Sequence, residues 1–151
     1  MIMKNKNTRL LILNGPNLNL IGKRETAIYG SVSLNDYLNQ LKTNYSSILI
    51  DYQQFNLEGE LIQAIHQANN TYDGIILNPG AYAHTSIALR DAIKAIDIPT
   101  VEVHISNVFQ RESFRKHSYI SDVCKGCIIG FGLQGYRLAV ESFIYDKNCF
   151  F

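Results

Sequence analysis

Apolar and polar positions along the chain alternate between two spacings. Arg9 to Leu13 is a short apolar-rich run that stops at Asn14-Gly15-Pro16-Asn17-Leu18-Asn19-Leu20, which predicts a buried strand with polar groups at its tip. From Ser33 the period lengthens. Leu34, Tyr37, Leu38 and Leu41 fall at i, i+3, i+4 and i+7 behind a serine with Asp36 three residues on, the pattern of a capped helix. A second strand is predicted from Ile48 to Phe55, and a second helix carries Leu61, Ala64, Ile65 and Ala68 after Glu58 and Glu60. A third strand, Gly74 to Asn78, breaks at Pro79-Gly80 and leads to a helix around Ile87, Ala88, Asp91, Ala92 and Ala95. Pro99 introduces a fourth strand, Thr100 to His104. A fifth, Cys127 to Gly130, precedes a last helix bearing Leu138, Ala139, Phe143 and Ile144.

Five strands alternating with helices predict an α/β fold: a flavodoxin-like, five-stranded parallel sheet with helices on both faces, because right-handed crossovers lay helices on the faces of a parallel sheet. With 151 residues, 46% of them hydrophobic, the chain reads as a single domain over 1–151. Ligands of such sheets bind outside the carboxyl ends of the strands. Three of those ends here read Asn14 to Asn17, Asn78-Pro79-Gly80 and His104-Ile105-Ser106-Asn107, and all are polar. Between the first strand tip and the first helix lies an aperiodic segment that carries Arg24 and Tyr29 and closes at Gly30, which reads as a lid.

Charge and composition narrow the partners. With 14 basic and 13 acidic residues the formal net charge is +1, and no long basic run occurs, so neither nucleic acid nor a membrane surface is expected. The first residues lack the apolar core of a signal peptide and no apolar run is long enough to span a bilayer, which predicts a cytoplasmic protein in which the sequons at Asn44 and Asn69 have no consequence. Three cysteines argue against a disulfide framework. Cys124 and Cys127 have CxxC spacing, but the pair runs into a strand instead of opening a helix, and a zinc site would need two further ligands that no close pair supplies. Buried or incidental thiols are the expectation.

Three other motifs have competing readings. Gly130, Gly132 and Gly135 form a GxGxxG between a strand and a helix, yet in the last unit of the alternation, where close helix–strand packing accounts for the glycines better than a dinucleotide does. Of the four histidines, His66 lies beside a helical stripe and reads as surface or structural, whereas His84 and His104 follow strand ends. Period-two alternation sets Glu102 and His104 on one side of a strand, where a carboxylate can orient an imidazole; the plainer reading is a satisfied core histidine. His117 sits beside basic residues and reads mainly as part of loop closure. The stretch Phe109 to His117, with Arg111 and Arg115, is either solvated surface or a carboxylate clamp.

Taken together, Asn14-Gly15-Pro16-Asn17, Gly22-Lys23-Arg24-Glu25 with Tyr29-Gly30, Asn78-Pro79-Gly80-Ala81 with His84-Thr85-Ser86, Leu89-Arg90-Asp91-Ala92, Glu102-Val103-His104-Ile105-Ser106-Asn107 and His117-Ser118-Tyr119-Ile120-Ser121 resemble the type II 3-dehydroquinate dehydratases, over roughly Thr8 to Tyr145. The resemblance implies dehydration of 3-dehydroquinate to 3-dehydroshikimate in the shikimate pathway, the route to chorismate and the aromatic amino acids, with no metal or organic cofactor, in a homododecamer built from trimers. It implies Tyr29 as general base assisted by Arg24, Asn17 holding a water against an enolate, His104 as general acid and Glu102 as its orienting carboxylate. It further implies substrate contacts from Asn78, His84, Arg115, Arg111 and the backbone amides of Ile105 and Ser106, with Asp91 reaching a neighbouring subunit's site. Thr26 stands where the family commonly has proline, Phe109-Gln110 replaces a more usual His-Ala pair, and Asp122 stands where proline often follows the serine. None of these removes a reacting group. The type I route uses a Schiff-base lysine on a (β/α)8 barrel, for which the chain is far too short. The alternatives are a flavodoxin-like binding module, which needs the fold but neither the lid nor the Glu102–His104 pair, and an inactive homologue.

Overall fold

The computed structural model describes residues 8–22 and 32–145. Its order is β1 (Arg9–Asn14), α1 (Leu34–Asn44), β2 (Leu49–Gln54), α2 (Glu58–Ala68), β3 (Gly74–Asn78), α3 (Ile87–Lys94), β4 (Thr100–His104), β5 (Gly126–Ile129) and α4 (Gln134–Ile144), with short 3-10 turns between them. All five strands are parallel, in the spatial order β2-β1-β3-β4-β5. The flavodoxin-like α/β expectation holds. The order reverses between β1 and β3, and a crevice opens at such a point because successive crossovers leave on opposite faces.

Position in the sheet explains the strand sequences. β3 and β4 are buried at every residue and β1 at all but its first, hence their near-continuous apolar runs, while the edge strand β2 alternates exposed and covered positions. One face carries Leu10, Ile12, Ile50, Ile76, Val101 and Val103 under α1 and α4; the other carries Leu11, Leu13, Ile75 and Leu77 under α2 and α3. The Ser33 hydroxyl accepts from the Asp36 N–H at 3.1 Å and so caps α1 as its sequence predicts. Ser86 does the same for α3 through the Leu89 N–H at 2.8 Å.

Two apolar stripes fall differently from the periodicity reading. On α3 the buried residues are Leu89, Ala92 and Ile93, and Ile87 is exposed. Leu89, Ala92 and Ile93 stand at i, i+3 and i+4 as one apolar stripe, whereas Ile87 falls on the opposite arc among Arg90, Asp91 and Lys94. On α4 the buried set is Gly135, Tyr136, Ala139 and Val140, while Ile144 reaches the surface.

Candidate active site

The loops after β1 and β3 interlock. Gly15 follows Asn14 and donates its N–H to the Asn78 carbonyl at 2.8 Å, so closely that a Cβ at Gly15 would collide with the Pro79 backbone. Gly80, at φ 58°, lies in turn against the carbonyl and ring of Pro16. A Gly-Pro step thus packs against a Pro-Gly step. The chain leaves this clasp through Asn17 in a left-handed conformation (φ 68°), one that asparagine tolerates better than most residues.

Above the clasp is a cavity of about 300 Å³, lined by Asn17, Asn78, His84, His104, Ile105, Ser106, Arg111 and Arg115 together with apolar residues such as Leu18 and Ile21. Eight of the residues implicated by sequence therefore converge on one space. Among the described residues that line it there are two arginines and two imidazoles but no carboxylate, so it suits a small anion. The loop of Arg111 and Arg115 is a cavity wall, with exposed Glu112 accepting from Arg115 Nε at 2.7 Å. Arg111 Nη1 reaches the Ser106 hydroxyl at 3.4 Å.

Glu102 lies behind His104, fully buried, and accepts from His104 Nε2 at 2.7 Å. Three more donors surround the carboxylate. The Ser118 hydroxyl donates to Oε1 at 2.9 Å, the Ser121 hydroxyl to Oε2, and the Cys127 thiol to Oε2 at 3.3 Å. Burial by itself would raise this carboxyl, but the hydrogen bonds from His104, Ser121 and Ser118 outweigh it and hold Glu102 below the usual carboxylate range. Its charge fixes the imidazole with Nε2–H inward and leaves Nδ1 as the other nitrogen. The two serines were not singled out from sequence, although they stand three apart around Ile120, whose complete burial anchors their loop.

His84 stacks on His104 with ring centroids 5.9 Å apart. Its Nδ1 lies 2.7 Å from the His117 carbonyl, which can only accept, so Nδ1 carries the proton and Nε2 is an acceptor. Burial pushes His84 below the usual histidine range, and the neighbouring His104 and Arg115 act in the same direction. The pair thus combines a neutral imidazole with one backed by a carboxylate. His117 contributes its backbone, in keeping with a loop-closing role, and His66 is exposed on α2.

The GxGxxG stretch supports this site. Gly130 and Gly132, both at positive φ, donate their N–H groups to the carbonyls of His104 and Ile105 at 3.0 and 2.9 Å, and Gly135 lets α4 approach Val103 and Ile128. Packing was expected for all three glycines; for Gly132 backbone conformation is the reason, since a Cβ there would meet nothing. Cys124 is half-buried and Cys127 is exposed as a residue, with its Sγ tucked against Glu102, its register partner across β4 and β5. Burial raises both the Cys124 and the Cys127 thiols, which makes neither a ready thiolate. Among the described residues no group of three or more His, Cys, Asp or Glu side chains is placed to hold a metal ion, and no helix is long and apolar enough to cross a membrane.

Asp91 is exposed on α3 and does not line its own chain's cavity. Arg24 and Tyr29, with Thr26, lie outside the described residues. Asp122 pairs with Arg90, whose guanidinium also donates to the Tyr119 carbonyl at 2.9 Å, and Phe109 is largely exposed.

An imidazole oriented by a buried carboxylate, opening on a cation-lined cavity at the carboxyl edge of a parallel sheet, is the arrangement of a site suited to proton transfer on a small anion. The family model for class II dehydroquinase matches residues 8–144. A 3-dehydroquinate dehydratase from Aeromonas salmonicida is 50% identical over 143 residues, 93% of this chain and 96% of that one. One from Bacillus pumilus is 52% identical over 138 residues, 90% of this chain and 94% of its own length. The crystal structure of a type II dehydroquinase from Propionibacterium acnes superposes with a TM-score of 0.85 at 37% identity, covering 91% of this chain and 96% of that one. The chain belongs to the class II dehydroquinase family and is a hydro-lyase of that family.

Proposed function

We propose that the chain converts 3-dehydroquinate to 3-dehydroshikimate and water through an enolate, with Tyr29 as base and His104 as acid. The observation that carries the mechanism is the Glu102–His104 pair, 2.7 Å apart and opening on an anion-suited cavity. Tyr29 removes a proton from the carbon beside the substrate ketone. A phenol with pKa about 10 is only about one-thousandth ionised at pH 7, a population cost of about 4 kcal/mol, so a base of this kind needs a permanent cation beside it, the role assigned to Arg24. Closing their segment over the substrate would exclude water while bringing both groups in.

The negative charge passes to the ketone oxygen, where a water held by Asn17 stabilises it. Collapse of the enolate expels the hydroxyl group, which takes its proton from His104 and leaves as water. Glu102 supports this step by stabilising the imidazolium that precedes it. Arg115, Arg111, Asn78, His84 and the backbone amides of Ile105 and Ser106 hold the substrate's carboxylate and hydroxyls. The position of Asp91, off its own cavity, accords with a trimer in which it completes a neighbour's site, and with a dodecamer of such trimers; the reading places the enzyme in the cytoplasm, in the shikimate pathway.

The test is a time course of enone absorbance after adding 3-dehydroquinate to wild type and to Tyr29→Phe, with and without borohydride. Rapid product formation by wild type, lost in Tyr29→Phe and indifferent to borohydride, is expected. No turnover by folded, assembled wild type would overturn the proposal and favour an inactive or binding homologue.

A further inference from the structure

We propose that Tyr136 is a positioning residue for this reaction: its buried hydroxyl anchors the Asn78 amide in the orientation in which it meets the substrate cavity. The inference rests on the reading of Asn78 as a substrate contact. Asn14 and Asn78 are register partners at the ends of adjacent strands, so their side chains leave the sheet on the same face. There α4 lays Tyr136 across them. The Tyr136 hydroxyl donates to Asn14 Oδ1 at 2.8 Å and accepts from Asn78 Nδ2 at 3.0 Å.

A hydroxyl has one proton to give. With that proton committed to Asn14, only an N–H of Asn78 can face the phenol oxygen; an amide turned end over end would set its carbonyl oxygen against the phenol's lone pairs. The turned amide would also lose the bond that the Gly80 N–H donates to Asn78 Oδ1 at 3.3 Å. Asn14 Nδ2 points to the Tyr52 hydroxyl at 3.5 Å, a group that can accept or donate, so the direction of the hydrogen-bond chain is set at its other end, where the Gly80 N–H can only donate. Tyr136, Asn14 and Asn78 are all buried, where a mismatched polar pair is costly and a matched chain rigid. Asn78 therefore meets the cavity with one remaining N–H and one remaining lone pair in a single arrangement, oriented by the Gly80 N–H and anchored by a residue on α4 that does not line the cavity.

Tyr136→Phe keeps the ring and removes only the hydroxyl. KM for 3-dehydroquinate is expected to rise about tenfold with kcat within about threefold, and in an Asn78→Ala background the same substitution should move KM by less than about twofold. An unchanged KM in the single variant, or equal effects in both backgrounds, would overturn the inference, while wild-type turnover would leave the proposed reaction standing. Where Tyr136→Phe does not fold, Asn14→Leu frees the phenol's proton and should raise KM by a similar factor; an unchanged KM there overturns the inference too. One readout does not depend on turnover. The Asn78 side-chain amide of ¹⁵N-labelled protein should give two well-dispersed proton resonances that draw together in Tyr136→Phe, and an unaltered pair would count against the role.

Discussion

Glu102 is fully buried, and four donors satisfy its carboxylate. A buried negative charge is tolerated only when fully solvated by donors, and here an imidazole, two hydroxyls and a thiol supply them. The charge is thereby available to an imidazolium. Glu102→Gln keeps the shape and removes the charge, so kcat should fall about 10²- to 10³-fold with KM changed less than about threefold, measured by initial rates. Ser121→Ala leaves the other donors in place and should cost about tenfold or less in the same assay. A family of histidine candidates was legible at this scale, and period-two spacing placed Glu102 beside His104 correctly. Ser118 and Ser121 were not legible as its partners, because they reach Glu102 from 16 and 19 residues away through a loop whose path no periodicity describes.

At the scale of elements, the clasp between the loops after β1 and β3 shapes the cavity floor. The sequence shows the two turns separately, as Asn14-Gly15-Pro16 and Asn78-Pro79-Gly80, and each reads locally as a strand terminator. That they pack on each other follows from β1 and β3 being neighbours in the sheet. Gly15→Ala would drive a methyl group into the Pro79 carbonyl. It should destabilise the fold by about 3 kcal/mol, a fall in Tm of about 10 °C for a chain of this length, and shift the wall formed by Pro16 and Asn17. Thermal melts of the two proteins at one pH check it; an unchanged Tm would mean that the loops separate freely. Tyr136 belongs at this scale as well. It stands on the α4 stripe, three residues before Ala139 and seven before Phe143, so its burial could be read from sequence, but its hydrogen bonds to Asn14 and Asn78 could not.

Across the whole molecule the two depressed groups of the site make stability depend on pH in one direction. His84 is held below its ordinary value of 6.5, so the folded state favours the neutral ring; its contribution is complete above that value and is lost as the pH falls below it. Glu102 is held below 4.5, so its contribution is complete above that value and is lost at lower pH still, joined there by the exposed Glu112 and Asp122. Melts from pH 8 to pH 2 should show Tm falling in two stages. His84→Gln should flatten the upper stage, and Glu102→Gln should weaken the lower one; a Tm that rises on acidification would contradict both assignments.

The sequence by itself determined the number, type and order of the described elements and the polar character of the strand tips. Helical and strand periodicities record which residues within a short stretch share a face, and burial of one face is the dominant local force. The tertiary structure decided everything that depends on sheet order and register. It brought Cys127 beside Glu102 across β4 and β5, and joined Tyr136 to Asn14 over 122 residues and to Asn78 over 58. A hydrogen bond needs its donor and acceptor within about 3 Å. For residues so far apart in the chain, only the packed sheet and its covering helices bring them that close.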